Sequence, residues 1–296
     1  MGRLADRSRE RVLSALTGSP DGRPEWVRDL ELGDDAGFFG PNSAAWSVHG
    51  ALPTFVAGIR ALLLQTLHPG AMAGVHDWSL YQDDPLGRLS RTVRWIVVVT
   101  FSDTAMAVRE SSRIDRLHER VVGKYTDTSG TARPYSALDT ELLTWVHDVF
   151  TDSFLACHQI WGGAVPGGAD QYVCEWAKAG ELVGVQSPPR SAAELQSQLD
   201  RFRQSGVLKS DDRVSEAVRF LRSPGLKRSM MPAYRILFAG AVASIRPEYR
   251  KLLGLKRAWW PAITATRLTL WGIGQVLHGA SGSEVAARKR IARLGI

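Results

Sequence analysis

Apolar residues recur at a period near 3.6 along almost the whole chain, and no segment shows long strict alternation bounded by hairpin dipeptides. That pattern predicts an all-α fold. Gly and Pro punctuate it, and the helices read as Leu4 to Thr17, Pro53 to Leu67, Pro85 to Val108, about Ser111 to near Gly123, and Asp139 to Trp161. Others follow at about Asp170 to Ala179, Ser191 to Gln204, Asp211 to Leu221, Met231 to Ser244, Arg246 to Leu253 and Trp260 to His278. The first helix ends in a loop-rich opening segment through Ser43, Lys124 to Pro134 reads as a polar loop, and Ser283 to Ile296 as a basic tail. With no linker-like composition break and no internal repeat, residues 1–296 read as one large helical domain around a pocket.

Composition narrows the function classes. Hydrophobic residues make up 44% and charged residues 23% of the 296 positions, which is enough apolar material for a large core. The formal net charge of +7 invites nucleic-acid binding, but the basic residues read as dispersed among acids. Only Arg288, Lys289, Arg290 and Arg293 look concentrated, and no nucleic-acid motif is present, so no nucleic-acid partner is expected. The longest charge-free run, Ala36 to Ile59, contains Gly40, Pro41, Gly50 and Pro53 and reads as loop and short helix rather than a span. No transmembrane helix is expected, and membrane contact would be peripheral. The N-terminus shows charges throughout and no apolar core of a secretory signal, which makes the cytoplasm the default. Cys157 and Cys174 lie too far apart for a CxxC motif; one disulfide is conceivable, and two reduced buried thiols fit better.

The usual enzyme signatures are missing: there is no HExxH, GxSxG, P-loop or GxGxxG. Histidines nevertheless stand in or beside strongly apolar helices. His147 lies in LLTWVHDVF, His118 in RIDRLHERVVG, and His68 closes ALLLQTLHP. In GRLSRTVRWIVVV, Arg88, Arg91, Thr92, Trp95 and Val99 are spaced i, i+3, i+4, i+7 and i+11, so they share one helix face. A helix apolar nearly all round is expected to be buried, and arginines in its first turn need anions. Two readings stay open: Arg88 and Arg91 pair with Asp83, Asp84 or Asp139, or they face an anionic or polarisable ligand.

The stretches RALLLQTLHPGAMAGVHDWS, DPLGRLSRTVRW, RIDRLHERVVG and YSALDTELLTWVHDVFTDSFL, in this order, resemble the MpaB and latex-clearing-protein superfamily of helical haem proteins. MMPAYRILFAGAVASIRPEYRKLLGL is similar to that family's closing helices. The resemblance implies a b-type haem in an all-helical bundle. His118 matches the histidine that ligates the iron, and Arg88 and Thr92 match residues that approach the haem in the latex-clearing branch. Arg91 falls where that branch has a lysine able to close the other iron position. An arginine does not readily lose its proton to become a ligand, so the position is open, water-bound or taken by another residue. His68 and His147 match family histidines near the cofactor. Asp115 and Val122 stand where the latex-clearing branch carries arginines, so pairing with the haem propionates falls to Arg113, Arg116 or Arg120.

The function this implies is a haem-dependent oxygenase that uses dioxygen on an unsaturated hydrophobic small molecule. Two alternatives accompany it. One is a non-catalytic haem or hydrophobic-ligand binding protein, with His118 and one of His68, His76 or His147 filling both axial positions. The other is a helical scaffold without the cofactor.

Overall fold

The longest helix sets the frame of the fold. The computed structural model describes residues 24–78, 85–277 and 281–296, and of residues 85–90 the backbone only. The expected helix Leu4 to Thr17, the acids Asp83 and Asp84, and His278 lie outside the described residues.

Fourteen helices and one two-stranded sheet are formed among the described residues. In chain order, α1 is Glu25–Asp29, α2 Ala44–Gly50, α3 Thr54–Gln65, α4 Pro69–Trp78, α5 Pro85–Phe101 and α6 Thr104–His118. Strands β1 Val122–Thr126 and β2 Ala132–Ser136 precede α7 Thr140–Trp161, α8 Gly168–Leu182 and α9 Ala192–Gln204. The chain continues as α10 Asp212–Arg222, α11 Met231–Ser244, α12 Pro247–Leu252, α13 Ala262–Leu277 and α14 Gly282–Leu294. Short polar caps start several of these helices: Ser43, Asp103, Ser191, Asp211 and Ser281 each accept a backbone N–H from the first turn.

Helix α7 buries Trp145, Val149, Phe150, Phe154 and Leu155 along its length, each large side chain contributing about 1.5 to 3 kcal/mol. It packs chiefly on α3, where the Trp145 indole donates to the Gln65 carbonyl at 3.3 Å, with α8 and α9 on its other sides. Helix α11 covers α3, and α13 covers α11. The buried cluster extends from Val27 to Ile291. No single described helix is long and apolar enough to cross a membrane; α2 and α3 together have the length and composition but meet at 91° inside the core.

Four expectations need correction. The chain between Leu67 and Pro85, given no helix above, starts one at once after His68: Pro69 takes the first position, where a missing N–H costs nothing. The His68 carbonyl accepts Met72 N–H at 2.9 Å and its Nδ1 accepts Gly70 N–H at 3.2 Å. The polar loop Lys124 to Pro134 is the tip of an antiparallel hairpin with Tyr125 opposite Arg133. Asp127 closes it by accepting the N–H groups of Ser129 and Thr131, both at 2.9 Å. The basic tail is helix α14, docked on the opening segment. Its Arg290 is fully buried and donates to the carbonyls of Leu30 (2.7 Å), Asp35 (3.1 Å) and Ala36 (3.3 Å). Finally, Cys157 is buried but Cys174 is exposed, and both are free thiols.

Candidate functional site

Helices α5 and α6 form a hairpin joined through Ser102 and Asp103. The Trp95 indole donates to Ser111 Oγ at 3.1 Å, and Arg94 pairs with the buried Glu110 at 3.2 Å. These contacts fix an antiparallel arrangement in which the start of α5 and the end of α6 lie at the same end of the hairpin. The side chain of Arg88 lies outside the described residues. Ile96, Val98, Val99 and Phe101 bury the far half of α5, whereas Arg91 and Thr92 are exposed. The expected all-round burial of this helix therefore does not extend to Arg91, Thr92 and Val93, whereas α6, α2 and α14 pack on the helix.

His118 ends α6 and is half-buried. Its Nδ1 is shielded from solvent with no hydrogen-bond partner among the described residues. Burial lowers its pKa, and the Asp115 carboxylate opposes that only in part. The same burial raises the pKa of Asp115. A neutral imidazole with a free lone pair is the state that a metal ion binds. Around it, apolar side chains stand in solvent: Trp78 is 51% exposed, Val122 50% and Leu117 43%. The Trp78 indole donates to the Val122 carbonyl at 2.9 Å, which ties the end of α4 to this patch. Arg116 and Arg120 are exposed beside it.

A haem asks for a neutral histidine, cations for its carboxylates and apolar surface for its ring, and this end of the hairpin offers all three. Among the described residues no group of three or more His, Cys, Asp or Glu could hold a metal ion, and ligation by one histidine needs no such group. The exposure of Trp78, Leu117 and Val122 carries no signal in the sequence, because an apolar side chain left facing water needs coordinates to see.

Three expected cofactor contacts are placed elsewhere. Arg113 is committed to Glu110, with its Nη2 at 2.6 Å from Oε1. His68 is fully buried just before the start of α4, a ten-residue helix about 15 Å long that carries Trp78 at its other end. His68 meets Tyr125 and Phe202 edge-on, and its Nε2 lies 3.6 Å from Glu141 Oε1. His147 faces α8, where its ring packs against the bare Cα of Gly180. His76 is exposed and contacts Asp77 at 3.2 Å.

The pocket expected inside the bundle is not where the two described hollows lie. One, of about 670 Å³, runs between α1 and α14; the other, of about 360 Å³, opens at the starts of α7 and α9's last turns, and His118 lines neither.

A family model described as ER-bound oxygenase mpaB/B'/Rubber oxygenase, catalytic domain, matches residues 46–278. No curated protein and no solved structure matches the chain.

Proposed function

The chain belongs to the mpaB and rubber oxygenase family through its catalytic domain, and from that premise we propose that it is a haem b-dependent oxygenase acting on an unsaturated hydrophobic small molecule with dioxygen. The observation that carries the cofactor assignment is the shielded, unpartnered nitrogen of neutral His118 beside an uncovered apolar patch. A bound haem would supply dioxygen activation at its iron.

The residues of this chain divide the remaining work. His118 would ligate the iron, and Arg116 and Arg120 would hold the propionates by charge-assisted hydrogen bonds. Trp78, Leu117 and Val122 would keep water from the ring. The Arg91 guanidinium, a poor metal ligand, would leave the iron position free, and together with the Thr92 hydroxyl it would stabilise negative charge developing near the substrate.

The test is turnover. The full chain, loaded with haem, is given an isoprenoid polyene under dioxygen; oxygen uptake matched by carbonyl products is the expected result. Stoichiometric haem with no uptake across polyenes and unsaturated lipids overturns the oxygenase assignment and leaves a binding protein.

A further inference from the structure

Positive charge is concentrated in the last third of the chain, against the expectation of dispersal. Between Ala217 and Ser283 eleven basic residues accompany one acid, Glu248, whereas the rest of the chain holds 26 basic and 29 acidic residues.

The same stretch exposes its largest apolar side chains. Trp260 is 93% exposed, Trp271 67%, Leu268 63% and Trp259 51%. Thr264, Leu268 and Trp271 are spaced i, i+4 and i+7 and share one face of α13, and Trp259 and Trp260 lie just before that helix. The opposite face, Ala262, Thr266 and Leu270, is buried against α11, where Thr266 Oγ1 donates to the Ile236 carbonyl at 3.2 Å. Orientation is therefore fixed: α13 cannot turn its tryptophans inward without giving up that packing. Lys256 and Arg257 are exposed just before the tryptophans, and Arg267, on the exposed side of α13, is anchored to the Ile160 carbonyl at 2.8 Å.

A surface helix ordinarily turns polar residues to water, so an outward face of Leu and Trp calls for an apolar partner. Indole rings with one apolar body and one N–H, flanked by Lys and Arg, suit the boundary between lipid headgroups and acyl chains. We infer that the face from Lys256 to Trp271 docks the protein on an anionic phospholipid bilayer. Trp260, Leu268 and Trp271 enter the headgroup boundary, while Lys256 and Arg257 meet lipid phosphates. The charge excess selects this partner: a stretch with eleven basic residues and one acid is attracted to an anionic leaflet over about a Debye length. A nucleic acid would share that attraction but would leave Leu268 without a partner. The contact is peripheral, lies apart from His118 and does not rest on the oxygenase assignment.

The experiment is co-sedimentation of the full chain with vesicles of phosphatidylcholine alone or mixed with phosphatidylserine, read together with tryptophan emission. Binding to the mixed vesicles, a blue-shifted emission and weakening by salt are expected. The double variant Trp260→Ala, Trp271→Ala binds about tenfold or more weakly, and Lys256→Glu with Arg257→Glu removes the preference for phosphatidylserine, each charge being worth about fivefold. All four side chains are exposed, so the thermal midpoint stays unchanged. No co-sedimentation, undiminished binding by the tryptophan variant, or tighter binding to a single-stranded oligonucleotide than to mixed vesicles would overturn the inference.

Discussion

His147 and His118 both sit on helices that pack through one apolar face, and burial keeps both imidazoles neutral, yet their surroundings differ in kind. His147 is locked in the middle of α7 against Gly180, with its pKa pushed down to about 4 and its Nε2 unpartnered. The next residue, Asp148, is fully buried, has no hydrogen-bond partner for either oxygen among the described residues, and is pushed up to about 8. His118 instead lies at a helix end, where the unpartnered nitrogen is accompanied by exposed apolar side chains and arginines. An orphaned polar atom inside a packed core is a cost to stability. The same atom beside uncovered apolar surface is a place where a ligand can relieve both defects at once.

If the α7 side is core and the α6 end is receptor, changes where α7 meets α8 alter stability and leave cofactor binding alone. Gly180→Ala gives the largest effect: the new Cβ falls 2.9 to 3.1 Å from three atoms of the His147 ring. Overpacking of this kind costs about 1 to 3 kcal/mol, read by denaturant unfolding. A folded Gly180→Ala protein that no longer takes up haem would break the comparison.

The next effect concerns pH. Asp148 has a folded pKa of about 8 against an ordinary 3.8, so the native state holds its proton more tightly and stability falls as pH rises through that window. His49 and His147, lowered to about 3 and about 4, act in the opposite sense and lose stability as pH falls below 6.5. The two effects oppose each other below pH 6.5, and above it only Asp148 remains of these three. Unfolding free energy is therefore expected to drop by about 2 kcal/mol from pH 6.5 to 8, and Asp148→Asn is expected to flatten that limb. An unchanged limb in the variant would show that Asp148 is ionised in the core.

Arg91→Ala is expected to move stability least, by less than about 0.5 kcal/mol for an exposed position, while slowing substrate oxidation in the haem-loaded protein. Equal rates would assign Arg91 to the surface and narrow the receptor to His118 and its apolar neighbours.

Most of the fold was legible because helix periodicity and Gly-Pro punctuation are local signals. The span Met231–Ser244 matches residue for residue, and Thr140–Trp161 differs from its expected start by one position. What failed was tertiary. Nothing local distinguishes a solvated basic tail from α14, whose Arg290 is buried because three backbone carbonyls of the opening segment converge on it. The β-hairpin was hidden by the polar residues that its exposed strands require. At the candidate site, helical spacing and family resemblance identified the hairpin end. They could not show that Arg113 is spent on Glu110, or that His68 and His147 point into separate parts of the core.

The central claim is that His118 alone among the buried histidines receives the cofactor, and haem titration of the full chain followed by absorption spectroscopy tests it most directly. The account predicts a Soret band saturating at one haem per chain, abolished in His118→Ala and retained in His147→Leu. A band that survives His118→Ala unchanged, or one lost only in His147→Leu, would contradict it.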